Sequence, residues 1–271
     1  LIYEMKKYFQ IFKISFQQEF SYRLNFVMWR VRNILQVLLM FFLWSSVFRD
    51  PQTSVFGYNQ EKILTYVFGI LVLRAIVFSA RAVDVAGEIS NGNITNFLLK
   101  PVSYFGYWAT RDVASKVLNL SFAAVEITLL YLILKPHLFF QTNVGVLLVV
   151  LLSLIAAVTL FFCLLFLTNL SAFWMPENGW AAQFLFMVII TEFLSGGVFP
   201  LDILPEAFQK ILYSLPFPYL LFFPLQVYLG KITGVEIVRG LITSFSWLII
   251  LLFSVKFIWL KGIKRYSAEG R

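Results

Sequence analysis

Residues Val144 to Thr168 form a run of 25 positions without one charged side chain. As a helix at about 1.5 Å per residue this run is about 37 Å long, more than the roughly 30 Å of hydrocarbon in a bilayer. A helix apolar on every side needs an apolar medium on every side. The rest of the chain supports that medium being lipid. Of 271 residues, 60% are hydrophobic and only 13% charged, with a mean hydropathy of +0.81. Soluble domains average about 45–50% apolar and about 25% charged. The expected fold class is an all-α integral membrane protein.

Five more spans are expected, giving six transmembrane helices: Phe26–Phe48, Ile63–Val83, Val113–Leu134, the run just described, Trp180–Phe199 and Ile237–Leu260. Ahead of them, residues 1–25 read as an amphipathic interfacial helix, with Phe9, Phe12, Phe16 and Phe20 beside Lys6, Gln10, Lys13 and Gln17. Residues 26–271 then form one six-span domain. Met5-Lys6-Lys7 reads as an ordinary start with residues 1–4 as an upstream extension, and no cleavable signal peptide is expected. No internal repeat is evident.

Basic residues orient the chain. Lys6, Lys7, Lys13, Arg23, Lys100, Arg111, Lys116, Lys261, Lys264, Arg265 and Arg271 fall on one side, eleven in all. Arg49, Lys62, Lys135, Lys210, Lys231 and Arg239 fall on the other, six in all. The richer side is read as the cytoplasm, which makes both termini and residues 84–111 cytoplasmic. The same bias accounts for the net charge of +8 without a nucleic-acid partner. The loop at 171–179, cytoplasmic by parity, carries no basic residue and runs against the scheme.

Two segments are too irregular to be plain spans. Pro200, Pro205, Pro216, Pro218 and Pro224 crowd into the apolar block 196–236, where interior prolines forbid one straight helix. Broken backbone at membrane depth must be shielded by protein or face water. The block is therefore expected to fold back as a re-entrant helical hairpin beside a passage on the outer side. The second segment, 84–111, is too polar to span and too rich in Ile94, Phe97, Leu98 and Leu99 for a bare linker. Gly92 is expected to turn the chain and Asn93 to cap a short helix that ends before Pro101 and offers apolar knobs to a partner. Lying back on the membrane surface is its other reading.

These two segments carry a resemblance. The first has the form Glu-Ile-x-x-Gly-x-[Ile/Leu]-x-x-x-Leu-Leu-[basic]-Pro, met by Glu88, Ile89, Gly92, Ile94, Leu98, Leu99, Lys100 and Pro101. The second is met by Gly197, Phe199, Pro200, Leu201, Leu204 and Pro205, then Leu215, Pro216, Phe217, Tyr219, Pro224 and Gly230. Together they resemble the permease subunit of ABC-2-type ATP-binding-cassette exporters, in the branch of small six-span permeases. Asn96 departs from the family pattern and leaves the face of the short helix open. The resemblance implies two paired permeases, identical or related, served by two cytoplasmic ATPase subunits in a plasma (inner) membrane. ATP and magnesium would sit on the ATPase and none on this chain. It implies that Glu88, Gly92, Ile94, Phe97, Leu98, Leu99, Lys100 and Pro101 couple to that ATPase. Gly197, Phe199, Pro200, Pro205, Pro216 and Tyr219 would form the outer gate. Read from the residues alone, the chain lacks the Gly-x-x-x-x-Gly-Lys-[Ser/Thr] loop that cradles phosphates.

Charges inside the spans are the last signal. Arg30, Arg32, Arg74, Glu126 and Glu192 lie in apolar runs, where a central charge costs about 2.5–3.5 kcal/mol. Arg74 is expected to pair with Glu126, with Glu192 lining the passage near the outer gate; structural pairing or snorkelling is the blander account of the arginines. The single histidine, His137, has no companion for a metal site, and Cys163 has no partner for an intrachain disulfide. No catalytic triad or zinc-protease motif is present, so no catalytic residue is assigned. The rivals are an energy-independent channel or ion-coupled carrier, and a membrane-embedded enzyme acting on lipid.

Overall fold

The computed structural model describes residues 2–19, 23–48, 54–98, 100–178, 183, 185–186 and 191–266. All of its regular elements are helical, and the described residues include no strand, only one isolated antiparallel bridge between Val55 and Tyr58. In chain order the helices are α1 (Ile2–Glu19), α2 (Arg23–Val47), α3 (Gln60–Val77), α4 (Val85–Ser90), α5 (Ile94–Leu98) and α6 (Tyr104–Leu134). They continue with α7 (Val144–Asn169), α8 (Thr191–Leu194), α9 (Glu206–Tyr213), α10 (Phe222–Tyr228) and α11 (Val235–Arg265).

Local chemistry sets the helix ends. Asn59, Ser103 and Asn143 are extended and accept hydrogen bonds from the first turns of α3, α6 and α7, as N-caps do. Lys135 closes α6 in the left-handed conformation at φ 47°, and Pro136 keeps the helix from resuming. Long helices pack where small residues allow it. A Cβ at Gly240 of α11 would overlap the Phe223 ring, and one at Gly262 would overlap Phe173.

Four helices are long and apolar enough to cross a bilayer: Val27–Val47, Tyr104–Leu134, Val144–Phe173 and Val235–Arg265. A fifth is counted if α3 and residues 82–90, bent by 55° at the break between them, form one span. The fifth expected span, Trp180–Phe199, falls partly outside the described residues, which take in 183, 185–186 and 191–199 of it. Two boundaries differ from expectation. The helix expected at Val113 starts nine residues earlier, at Tyr104, inside the segment read as a polar connection. The helix expected to reach Val83 stops at Val77.

The proline block is broken as its composition demands. Pro200 precedes a 3-10 turn at Leu201–Ile203, Pro205 precedes α9, and Pro216 precedes a second 3-10 turn at Phe217–Tyr219. Pro224 sits in the first turn of α10, where a missing N–H costs no helix bond. α10 is buried and packs on α7 and α3.

Candidate functional site

Four polar clusters and one short helical segment bring the singled-out residues together.

The segment after α3 is held by side chains from α6 and α7. α3 ends at Val77, so its last carbonyls and the first amides of the next helical stretch have no partner within their own helix, the four-group deficit of every helix end. No proline or glycine marks the break, since residues 78–84 read Phe-Ser-Ala-Arg-Ala-Val-Asp. Lys116 Nζ donates to the carbonyls of Ser79 at 2.5 Å and Val77 at 3.4 Å. One turn earlier on α6, Asp112 Oδ1 accepts from the amides of Arg81 at 2.5 Å and Ala82 at 2.9 Å. Asn169 of α7 donates to the Ala82 carbonyl at 3.1 Å. Cation meets helix C-terminus and anion meets helix N-terminus, the favourable sense of both dipoles. This elbow explains why α6 begins early: its charged turn is occupied by protein. Sequence reasoning placed Lys116 among cytoplasmic charges and assigned Asp112 no role. The available signal was their opposite charges four residues apart on one helix face.

Beyond the elbow, Gly92 turns the chain at φ +75°, and α5 follows it. The turn folds α5 back against the protein, and this corrects the expected docking face. Ile94 is wholly buried, so it offers no knob to a partner. Phe97 is half-buried, its ring 4.8 Å from Tyr107 and 5.8 Å from Tyr104, with Lys100 Nζ over it at 4.1 Å. Glu88 accepts a hydrogen bond from Tyr104 at 3.1 Å. Exposed on this segment are Asn91, Asn93, Asn96, Lys100 and Pro101. Leu99 and the Leu98 side chain lie outside the described residues. An aromatic cluster supports the segment from behind: Tyr104 stacks on Trp259 at 4.7 Å, Phe105 meets Phe166 at 4.9 Å, and Tyr266 meets Phe173 at 6.1 Å. Ser90 also donates to the Pro176 carbonyl at 3.0 Å. Residues 85–98 therefore touch the start of α6, the end of α7 and the end of α11.

The buried charges pair differently from expectation. Glu126 is held by Arg30, whose Nε donates to Oε1 at 2.5 Å and whose Nη2 meets Oε2, with side chains 8% and 9% exposed. Asn119 supports Arg30 Nη1 at 3.3 Å. Arg74 binds Glu192 through Nη2, the Gly197 carbonyl at 2.9 Å and Gln36 Oε1 at 2.5 Å. Arg32 Nη2 lies 3.4 Å from the other Glu192 oxygen. The expected Arg74–Glu126 pair is thus replaced by two separate pairs, because α2 supplies Arg30 to Glu126 while α8 carries Glu192 to Arg74 and the turn after it adds the Gly197 carbonyl.

The residues expected at a gate are spread through the proline block. Gly197 is buried, and a Cβ there would be crowded, 3.0 Å from Arg74 Nη2 and 3.1 Å from the Glu192 carbonyl oxygen. Neighbouring Gly196, at φ +80°, presents its carbonyl to Tyr66 OH at 2.6 Å. Pro200, Pro216 and Tyr219 are buried, Phe199 is half-buried and Pro205 is exposed. Tyr219 OH donates to the Tyr213 carbonyl at 2.7 Å. A clasp ties this block to the loop before α3. Asp202 accepts from Tyr58 OH at 2.9 Å and pairs with Lys231 Nζ at 2.7 Å. Lys231 also donates to the Phe56 carbonyl at 3.2 Å, and Gln226 donates to Tyr58 OH. Burial pulls the Lys231 ammonium below the ordinary lysine value, while Asp202 acts against that pull. Nothing in the sequence pattern linked Tyr58 to Lys231.

No group of three His, Cys, Asp or Glu side chains suited to a metal ion occurs among the described residues. No curated protein matches the chain. The family model described as ABC-2 family transporter protein matches residues 34–270, nearly the whole length. The chain belongs to the ABC-2 family of transporter membrane proteins, as a multi-pass permease component of an ABC transporter.

Proposed function

We propose that this permease works as an exporter: paired with a second permease, it forms half of a translocation path and is driven by two separate cytoplasmic ATPase subunits that hydrolyse magnesium-bound ATP. The observation that carries the reading is the placement of residues 85–98. They are joined to α3 by the braced elbow and packed on the ends of α6, α7 and α11, so a push on this one segment reaches four helices. The docking face is Asn91, Asn93, Asn96 and Lys100; Leu98 and Leu99 are assigned to it from the sequence motif alone. Ile94 and Phe97 act from behind, fixing the segment to the bundle. In this arrangement both termini and residues 84–103 are cytoplasmic. The proline block, with Gly197, Phe199, Pro200, Pro205, Pro216 and Tyr219, is the outer gate, latched by the Tyr58–Asp202–Lys231 clasp.

The test is a crosslink. In the full complex with its copurified ATPase, Asn91→Cys and Asn96→Cys should each crosslink to the ATPase, while a cysteine at outer, exposed Glu206 should not. ATPase-independent permeation with no crosslink from either asparagine would overturn the coupling assignment.

A further inference from the structure

Helix α9 presents three unlike faces. Gln209, Leu212 and Tyr213 turn inward: Leu212 is buried, and the Tyr213 ring stacks on Phe222 at 5.8 Å. Gln209 Nε2 donates to the carbonyls of Asp202 at 3.0 Å and Leu204 at 2.7 Å. The rest of the circumference is exposed, and it is divided. Glu206, Lys210 and Ser214, four residues apart, form a polar line, and Ala207, Phe208 and Ile211 form an apolar line beside it. Phe208 is 61% and Ile211 63% exposed. Water alone would not favour the second line, and lipid alone would not favour the first. A helix carrying both suits the boundary between the two media.

The end of α9 points the same way. The last carbonyls of a helix have no partner within it. Water can fill them, but in lipid each needs a donor from the protein. Here Ile211 O accepts from Ser214 Oγ at 2.6 Å and Leu212 O from the Leu215 amide at 2.9 Å. Tyr213 O accepts from Tyr219 OH, and Ser214 O from Trp247 Nε1 of α11 at 2.9 Å. α11 itself marks the level of the boundary. Glu236 and Arg239 are exposed on it, and after Arg239 it carries no charge until Lys256. The exposed large side chains in between, Ile242, Phe245, Ile249 and Ile250 among them, are apolar. The end of α9 straddles that change: the Glu236 carboxylate acts electrostatically on Tyr213, and Ser214 is bonded to Trp247. A tryptophan, apolar in its ring and polar at its N–H, is at home at such a level.

We propose that α9 lies in the membrane–water boundary, with Phe208 and Ile211 among the acyl chains and Glu206 and Lys210 among the headgroups, so that lipid is a direct partner of the proline block. Through Gln209 and Asp202, a shift of α9 reaches the clasp at Tyr58 and Lys231. Placing this boundary on the outer side rests on the permease reading; the lipid contact does not.

The full chain is placed in nanodiscs of phosphatidylcholine and spin-labelled in turn at Glu206→Cys, Phe208→Cys, Lys210→Cys and Ile211→Cys, with the parent, whose Cys163 is buried, as the background. Relaxation of the label by oxygen, which dissolves in lipid, is compared with relaxation by a water-soluble nickel chelate. Oxygen should dominate at Phe208→Cys and Ile211→Cys, and nickel at Glu206→Cys and Lys210→Cys. Three patterns overturn the proposal. Nickel dominant at all four places α9 in water, and oxygen dominant at all four sinks it in lipid. Exclusion of both reagents at Phe208→Cys and Ile211→Cys means that a second copy covers the face. A membrane-impermeant thiol reagent on right-side-out vesicles should label Glu206→Cys. The expected relaxation pattern without that labelling would sink the orientation in the permease reading alone, and labelling with any of the three contrary patterns would sink this contact alone.

Discussion

Replacing Glu126 with alanine leaves the Arg30 guanidinium buried, with only Asn119 Oδ1 at 3.3 Å to receive a hydrogen bond. Breaking a buried ion pair from one side costs about 3–5 kcal/mol, because the remaining charge keeps its desolvation penalty. The surviving Asn119 contact argues for the lower end, about 3 kcal/mol. At about 2–4 °C per kcal/mol for a chain of this size, the unfolding midpoint should fall by about 6–12 °C. The single cysteine, Cys163, is 2% exposed, so a thiol-reactive dye that fluoresces on unfolding reads the transition without engineering. Arg30→Leu with Glu126→Leu should return the midpoint to within a few degrees of the parent, since an apolar pair removes both charges. Arg74→Leu with Glu126→Leu should be worse than either single change, as it strands Arg30 and leaves Glu192 with only the half-exposed Arg32 at 3.4 Å. Rescue of Glu126→Ala by the Arg74 change, with none by the Arg30 change, would refute the pairing.

Two further outcomes follow from the elbow and the clasp. Asp112→Ala removes a charged acceptor from the amides of Arg81 and Ala82, so hydrogen exchange at those amides should speed up by about 10- to 100-fold, while Asp112→Asn, which keeps an acceptor, changes it far less. Unchanged exchange in Asp112→Ala would mean the elbow stands without α6. At the clasp, the lowered pKa of Lys231 means the unfolded chain holds the proton more tightly than the folded one. Between the lowered value and the usual lysine value near 10.4, stability should rise with pH, and Lys231→Met should flatten that rise; a steeper rise in the variant would contradict the sign.

Much of the bundle is legible in the sequence because lipid imposes a simple rule on it. Val144–Thr168 reads as a helix from composition alone, and α7 runs Val144–Asn169. The proline positions likewise announce short helices, since each ring removes a donor wherever it falls. What stays hidden depends on which faces meet. Hydropathy places the start of α6 at Val113, after Arg111 and Asp112, because it counts Asp112 as solvated; here Asp112, with Lys116 one turn on, is bound to the backbone of the α3–α4 elbow. The elbow itself is silent because its backbone groups are satisfied from elsewhere, so Phe78–Asp84 needs no glycine or proline. Apolar residue types could mark Ile94 and Phe97 as important, yet not tell an outward knob from an inward anchor. The left-handed turn at Gly92 decides that. For the buried charges, the placement in apolar runs was readable and partner choice was not: Arg30 and Arg74 are equally basic, and only the fold puts Arg30 within reach of Asn119 and Glu126 on α6.

ATP-driven flux decides whether this chain is half of a motor-driven conduit. Vesicles holding the permease with its copurified ATPase should move at least one member of a panel of labelled apolar, amphiphilic and polar solutes in one direction on ATP addition, and vesicles holding the permease alone should not. Equal flux from the permease alone, indifferent to nucleotide and to the ATPase, would contradict the account.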